Sequence, residues 1–169
     1  LYNFMDGIDG IASVEAITCC LGGIILVGMS GGQGYAWPLG LLAASVFGFL
    51  LWNFPPAKIF MGDAGSGFLG ILLGLFSLQA AVIDPALLWA WLILLGVFIV
   101  DATLTLLRRL LAGARVYEAH RSHAYQYAAR RFGRHLAVTA GIAVINLCWL
   151  LPLALLVGWG RLEGALGVL

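Results

Sequence analysis

The chain has 169 residues, of which 62% are hydrophobic and only 10% are charged, and its mean hydropathy is +1.01. A soluble globular domain is about 45–50% apolar and about 25% charged. The composition therefore excludes a soluble globular domain and indicates an integral membrane protein. The net charge of +1 says nothing by itself about partners, and nothing else in the chain predicts binding to nucleic acid.

Five apolar runs divide the chain, and each is long enough for the about 20 residues that cross a bilayer core. They cover residues 11–29, 35–52, 64–83, 86–107 and 136–159. Because the runs are apolar all round and lack the alternation of a barrel strand, they predict helices. The expected fold class is all-α integral membrane, with about five transmembrane helices.

Three cysteines fall inside these runs, namely Cys19, Cys20 and Cys148. They have neither the spacing of metal ligands nor a loop context for a disulfide. We expect all three to be small core residues.

Two carboxylates interrupt the runs. Glu15 lies near the start of the first run, where a snorkelling or paired residue is expected. Asp101 lies inside the fourth run, and an ionisable group there is a functional hypothesis by default. A pairing with Arg108 or Arg109, about two helical turns further on, is the alternative.

Basic residues concentrate on one side of the predicted membrane. Seven of the nine lie in the loop between the fourth and fifth runs: Arg108, Arg109, Arg115, Arg121, Arg130, Arg131 and Arg134. Lys58, in the loop before the third run, is the eighth. The positive-inside rule places both loops in the cytoplasm. Counting spans then brings residues 1–10, 53–63 and 108–135 to one cytoplasmic face.

That face gathers carboxylates, amides, basic groups and histidines: Asn3, Asp6, Asp9, Asn53, Lys58, Asp63, His120, Arg121 and His123. Carboxylates beside amides suit Mg²⁺, which usually shares its oxygen ligands with substrate phosphates, and Lys and Arg suit phosphate itself. The glycines of residues 62–67 let backbone N–H groups approach an anion just before a helix N-terminus. The residues therefore predict a metal-assisted phosphate site at a membrane surface.

The Asp- and Gly-rich segments also have purely structural interpretations. Residues 6–10 could form a tight turn that caps the first helix. Residues 62–67 are not a Walker loop, since no Lys-Ser/Thr pair follows the last glycine. They could form an ordinary loop in which Asp63 caps the third helix.

The basic segments have structural alternatives as well. Lys58 could anchor at the lipid headgroups, and the loop at 108–135 could act only as a topology anchor. His120 and His123 could be half of a zinc site, but no third spaced ligand is nearby. Residues 124–134 suit a helix lying on the membrane surface.

Three segments, taken in order, carry a family resemblance. They are Asn3-Phe-Met-Asp-Gly-Ile-Asp-Gly10, then Asn53-x-Pro-x-x-x-x-Phe-Met-Gly-Asp-Ala-Gly-Ser66, then His120-Arg-Ser-His123 in a basic loop. These segments resemble the motifs of the polyprenyl-phosphate N-acetylhexosamine-1-phosphate transferases, glycosyltransferase family 4. The resemblance covers essentially the whole chain but only about the C-terminal half of the family. We therefore expect residues 1–169 to be one membrane domain, the C-terminal part of a longer polytopic transferase.

The resemblance implies a Mg²⁺-dependent phosphoglycosyl transferase, with Mn²⁺ as an alternative metal. The phosphate of a polyprenyl (undecaprenyl) phosphate would attack the β-phosphate of a UDP-amino sugar and release UMP. The metal would bridge the pyrophosphate and offset the charge on the leaving UMP. The implied location is the cell inner (plasma) membrane, multi-pass, with the active face cytoplasmic and in contact with lipid. A homodimer is left open.

Motif positions imply roles for the nucleotide and metal residues. Asp63 resembles the Mg²⁺ ligand and a catalytic residue. Asn3 matches a position at the nucleotide or the metal. Asp6 and Asn53 match nucleotide-binding positions, and Phe60 resembles the aromatic residue that stacks on uracil.

The remaining site residues belong to the phosphate side. Asp9 matches a family carboxylate whose role stays open between loop structure and catalysis. His120 and His123 resemble the family's histidine loop, which contacts the sugar phosphate and counts as catalytic. Lys58 and Arg121 are expected to bind substrate phosphate.

Two departures from the family pattern narrow the expectation. The family's adjacent aspartate pair, the usual candidate for the acceptor-activating base, is absent from these residues, so the chain is either a fragment or inactive alone. The run at His120 to His123 replaces three consecutive histidines, which argues against a muramoyl-pentapeptide substrate. The expectation is initiation of O-antigen or another cell-envelope polysaccharide from a UDP-N-acetylhexosamine.

Two other classes of protein compete with this interpretation. A secondary transporter would place its carboxylates near the membrane midplane at broken helices, whereas here the charges collect at one face. A non-catalytic membrane protein with a phosphate-binding face would not need the Gly-Asp-Ala-Gly-Ser loop.

The span count predicts the sidedness of two loops. Cysteines introduced at positions 58 and 33 should react with a membrane-impermeant thiol reagent from opposite sides of the membrane. Labelling of both positions from the same side would show that the number of spans between them is wrong.

Overall fold

The computed structural model describes residues 1–113 and 122–168, without the side chains of Gln33 and Val168. Its helices are α1 Ile11–Met29, α2 Ala36–Asn53, α3 Gly62–Ile83, α4 Pro85–Leu94, α5 Gly96–Leu111, α6 Ala124–Phe132, α7 His135–Ile145, α8 Leu151–Gly158 and α9 Gly164–Val168. Short 3-10 helices cover Tyr2–Met5 and Gln33–Tyr35, and a π-helical turn covers Asn146–Leu150. These ranges contain no strand. The predicted all-α fold is confirmed.

By length and composition, four helices in the described ranges could cross a membrane, and a bent pair makes a fifth. The four are α1, α2, α3 and the continuous stretch from α7 to α8. The fifth is α4 together with α5. The predicted number of about five spans is therefore confirmed.

Helix α1 is the centre of the bundle. In α1, 67% of the apolar window is buried inside the protein, against 28% in α2 and 28% in α3. Glycines allow this burial, because a Cβ at Gly23 would lie only 2.5 Å from the ring of Trp91, and one at Gly22 only 2.7 Å from Leu94. Helix α4 thus packs directly against the backbone of α1.

The fourth apolar run is not one straight helix. The run at 86–107 was expected to be interrupted only by Asp101, but α4 and α5 meet at Leu95 with a bend of 71°. Gly96, a poor helix former, opens α5 at this point. The thiol of Cys19 donates a hydrogen bond to the carbonyl of Leu94, 3.3 Å away, at the end of α4.

The fifth run contains a π-helical turn with a covalent cause. Pro152 has no N–H to donate to the carbonyl of Cys148, and its ring would clash with that carbonyl. The wider π turn before Pro152 relieves both problems. Cys148 lies in this turn and is exposed, so the prediction that this residue belongs to the core is wrong. Cys19 and Cys20 are buried, as predicted.

Replacing Gly23 with alanine should separate α1 from α4. The new methyl group would overlap the ring of Trp91, which is itself fully buried. We expect a fall in the thermal unfolding midpoint of the detergent-solubilised protein, because an overpacked contact costs about 1–3 kcal/mol.

Gly28 in the same helix is the matched control. No described atom lies within 4 Å of a Cβ built there. Gly28→Ala should leave the midpoint unchanged or raise it, since alanine favours a helix over glycine. Equal effects of the two substitutions would contradict the close packing of α1 on α4.

Candidate active site

The first loop and the loop after α2 are joined by two side chains. The Asn53 amide oxygen accepts a hydrogen bond from the N–H of Gly10 at 3.0 Å. The Asp9 carboxylate accepts one from the N–H of Ala57 at 3.1 Å. Gly10 has φ +74°, which only glycine adopts easily, and this conformation opens α1 directly beside Asn53.

Helix α6 closes the same face from above the first loop. The Tyr125 hydroxyl donates a hydrogen bond to the carbonyl of Phe4 at 3.1 Å. Gly7 leaves room for this contact, because a Cβ there would overlap the Tyr125 hydroxyl. Burial, with the charges of Asp101 and Asp6, raises the pKa of Tyr125 well above its usual range, so the hydroxyl keeps its proton. The three loops therefore meet at one face, as the span count predicts.

Asp101 holds the end of the histidine loop. Its carboxylate accepts hydrogen bonds from the N–H groups of Ala124 at 3.0 Å and Tyr125 at 3.1 Å. The ring nitrogen Nδ1 of His123 lies 3.3 Å from the same carboxylate. The Thr105 hydroxyl donates a hydrogen bond to this carboxylate at 3.0 Å. Asp101, whose role the sequence does not decide, thus caps the start of α6.

His123 is part of this capping arrangement. It is 3% exposed, and its ring stacks on that of Tyr125 at 5.7 Å between centroids. The other predicted members of the loop, His120 and Arg121, lie outside the described residues. The catalytic role of the histidines stays a prediction.

Asp9 uses its polar atoms to hold the loops in place. One carboxylate oxygen is 3.1 Å from Nδ1 of His135, the first residue of α7. The Asp9 carbonyl accepts a hydrogen bond from Thr139 at 2.8 Å. Together with the contact to Ala57, these bonds support the loop-structure alternative for Asp9 without testing a catalytic role.

Asn53 also has a structural function in this arrangement. It is the last residue of α2, not a loop residue, and is 4% exposed. Its amide nitrogen donates to the carbonyl of Ile59 at 2.9 Å, while its oxygen accepts from Gly10. Binding of a nucleotide by Asn53 stays a prediction, and in this structure both amide groups serve the backbone.

A cluster of oxygen ligands lies where the first loop meets α3. The Ser66 hydroxyl is 2.5 Å from the amide oxygen of Asn3 and 2.9 Å from the carbonyl of Gly62. Asp63 is exposed in the first turn of α3, one turn before Ser66. Burial, and next the negative charge of Asp63, raise the pKa of Asp6 to about 6. The two carboxylates are therefore close enough to sense each other's charge.

These side chains fit a divalent cation. Mg²⁺ in proteins is commonly held by one or two carboxylates together with substrate phosphates, and Asp6, Asp63 and Asn3 offer two carboxylates and an amide oxygen. Within residues 1–113 and 122–168, no three Asp, Glu, His or Cys side chains cluster closely enough to hold a metal by themselves. The cluster thus suits a metal that shares its coordination with a phosphate ligand.

The loop before α3 presents two more of the predicted residues. Phe60 is 76% exposed, two residues before Gly62, where its ring can stack on a planar group. Lys58 is exposed, and its ammonium group lies 5.3 Å from the centroid of the Trp52 ring. This cation–π contact holds Lys58 beside an aromatic residue at the end of α2.

A mainly apolar groove of about 580 Å³ runs between α5, α6 and α7 beside this face. Its apolar lining includes Val97 and Ile145, and its polar lining includes Asp101, Arg108 and Ser122. The groove therefore joins a region of apolar helix surface to the capped end of the histidine loop.

Sequence reasoning missed three residues that assemble the site: Ser66, Tyr125 and His135. Ser66 follows Asp63 by three residues, a helical spacing that could have linked it to the same face. Tyr125 and His135 gave no such signal, because their partners Phe4 and Asp9 are more than a hundred residues away.

Comparison with known proteins identifies a family for part of the chain. Residues 1–81 match the model of glycosyl transferase family 4. The chain is 39% identical over 124 residues to a probable undecaprenyl-phosphate N-acetylglucosaminyl 1-phosphate transferase of Bacillus subtilis, covering 72% of the chain and 34% of that relative.

Two further relatives show the same partial coverage. A decaprenyl-phosphate N-acetylglucosaminephosphotransferase of Mycolicibacterium smegmatis is 34% identical over 144 residues, 72% of this chain and 35% of its own. A phospho-N-acetylmuramoyl-pentapeptide-transferase of Chlamydia trachomatis is 43% identical over 77 residues, 43% of this chain and 23% of its own. The chain spans about a third or less of the length of these relatives. On the match of its first two loops and their helices, the chain belongs to glycosyl transferase family 4.

Proposed function

We propose that this chain contributes part of the active centre of a polyprenyl-phosphate N-acetylhexosamine-1-phosphate transferase. The reaction transfers a sugar 1-phosphate from a UDP-sugar to a polyprenyl phosphate such as undecaprenyl phosphate, with release of UMP. The observation that carries the proposal is the oxygen cluster of Asn3, Asp6, Asp63 and Ser66, built by the two family motifs at one face of an apolar bundle.

In this proposal, Asp63 and Asn3 hold Mg²⁺, or Mn²⁺ in its place. When bound, the metal neutralises charge on the pyrophosphate and on the leaving UMP. Asp6 lies beside Asp63 on the nucleotide side. Its partial burial favours a neutral carboxyl until a cation or a bound ligand stabilises the charge.

The nucleotide is proposed to lie over the start of α3. Phe60 supplies the exposed ring for uracil, and Lys58 supplies a cation for a phosphate oxygen. The first turn of α3 adds N–H groups that have no partner within the helix, with Gly62 in the left-handed conformation at φ +67°. Anion, ring and metal sites thus adjoin within one loop.

The acceptor is proposed to approach along the groove between α5 and α7. An apolar prenyl chain suits the apolar lining, which includes Val97 and Ile145. The phosphate of that chain suits the polar lining near Arg108. The histidine loop, which ends at His123, then lies between acceptor and sugar phosphate.

The finer substrate class is proposed from the names of the relatives and from the histidine loop. Two of the relatives above are named for N-acetylglucosamine and one for an N-acetylmuramoyl pentapeptide. Because the run at His120 to His123 departs from three consecutive histidines, we favour a UDP-N-acetylhexosamine. The product would start O-antigen or another cell-envelope polysaccharide, at the cytoplasmic face of the inner membrane. The alternative of a transporter has no comparable support in the loops.

Asp63→Asn should abolish UMP release by the full-length protein from UDP-N-acetylglucosamine, polyprenyl phosphate and Mg²⁺. The amide removes a charge from the proposed metal site, and we expect a loss of at least about 100-fold. Thermal stability should persist because Asp63 is exposed.

Asp84→Asn is the matched control. Asp84 caps α4 by accepting from the N–H of Ala86 at 2.8 Å, at the end of α3 remote from the site, and asparagine caps equally well. It should leave UMP release unchanged. Near-normal turnover in Asp63→Asn would remove Asp63 from the metal role.

Asp6→Asn should stabilise the metal-free protein while impairing its activity. The pKa of Asp6 is about 6 in the folded chain, above its ordinary value, so the folded state binds the extra proton. The free energy of unfolding therefore falls as pH rises from about 4 through 6, and asparagine removes this loss.

Unfolding midpoints in a chelator at pH 7.5 and at pH 4 give the measurement. Asp6→Asn should unfold at a higher temperature than the wild type at pH 7.5, and the difference should shrink at pH 4. A variant that is less stable than the wild type at pH 7.5 would contradict the raised pKa of Asp6, which burial and next the charge of Asp63 produce.

A further inference from the structure

Glu15 is a completely buried acidic residue that the proposed reaction does not use. Its side chain is 0% exposed, and it lies in the first half of α1, where this helix passes the π turn. Its Oε2 accepts a hydrogen bond of 2.6 Å from the amide nitrogen of Asn146, the first residue of that turn. The side chain therefore joins α1 to the one irregular turn of the fifth span.

The same side chain adjoins the bend between α4 and α5. In a continuous helix, the N–H of Phe98 would donate to the carbonyl of Leu94, but these two described residues do not form that bond. The Leu94 carbonyl accepts from Cys19 instead. The N–H of Phe98 lies near the carboxyl of Glu15, and Oε1 of that carboxyl has no hydrogen-bond partner among the described residues.

The available donors and acceptors determine the orientation of the Asn146 amide. Thr18 has one hydroxyl proton, which it donates to the carbonyl of Val14 or of Glu15, each 3.0 Å away. Its oxygen must therefore accept from Asn146, whose nitrogen is 2.9 Å away. Both amide protons are then used, one on Thr18 and one on Oε2 of Glu15.

Two buried acceptors remain unsatisfied by any described residue: Oε1 of Glu15 and Oδ1 of Asn146. A buried acceptor without a donor destabilises the folded state. A proton on Glu15 would turn Oε1 into a donor, and the paired amide carries the acceptor that such a donor needs.

The surroundings offer Glu15 no positive charge among the described residues. The titratable groups that face it are Tyr2, from the first loop, and Cys19, one turn further along α1. Both are acids and are neutral when protonated. An ionised carboxylate at such depth is costly without a cationic partner.

We propose that Glu15 is a neutral carboxylic acid that shares its proton with the amide of Asn146. This acid–amide pair locks α1 to the π turn beside the bend of α4 and α5. It acts as a positioning element, because α5 carries Asp101, which caps α6 and the end of the histidine loop. The lock does not depend on the proposed reaction.

Infrared spectroscopy of the whole protein at pH 7.5 tests the protonation state. The wild type should show a carboxylic-acid C=O band that is absent from Glu15→Gln, since only this carboxyl differs between them. If the wild type and Glu15→Gln give the same spectrum in that region, the proposal is overturned. Glu15 would then be an ionised carboxylate in the folded protein.

Thermal unfolding tests the lock. Glu15→Gln supplies an N–H₂ donor for Asn146 Oδ1 and an oxygen for its amide nitrogen, so its midpoint should match that of the wild type. Glu15→Leu keeps the bulk but leaves the Asn146 amide unpaired, and its midpoint should fall by several degrees. A Gln variant that unfolds, or that falls as far as the Leu variant, would overturn the proposal even if the Leu variant cannot be purified.

Discussion

The site depends on one constraint: the polar ends of three helices must be held together above an apolar bundle. Asp9 and Asn53 satisfy it. Asp9 joins the start of α1 to the loop after α2 and to the start of α7. Asn53 joins the end of α2 to Gly10. Each bond joins residues more than forty positions apart, so the loops gain order from tertiary contacts and not from local sequence. The exposed Asp63 and Phe60 are presented by this framework.

The interior is governed by the rule that polar groups in a bilayer must find partners within the protein. A bend and a π turn each disturb the backbone hydrogen bonds of a span. Helix α1 meets both disturbances, with Cys19 at the bend and Glu15 at the π turn. The helix that begins at the face with the candidate site is thus also the one that stabilises the irregular spans. This dual use explains why α1 is the most buried of the long helices.

The spans could be predicted from the sequence because hydropathy alone marks them. The shared face of the loops could be predicted from the distribution of Lys and Arg. The bend at Leu95 could not, since no proline marks it and Gly96 alone is a weak signal in a glycine-rich chain. The capping role of Asp101 could not be predicted for another reason: the backbone groups of Ala124 and Tyr125 that it caps lie 23 and 24 residues later, across a polar loop. The exposure of Cys148 could not be predicted, because hydropathy alone does not show which side of a span faces the protein core.

The bend also affects the lipid around the protein. The ten residues of α4 rise only about 15 Å, half of a hydrocarbon core of about 30 Å. A turn of 71° at Leu95 means that α4 and α5 cannot both follow the bilayer normal. The pair therefore reaches across less thickness than a straight helix of the same length would. A span that is short for its bilayer has a hydrophobic mismatch, which the chain composition alone does not reveal because the run as a whole is still apolar enough to count.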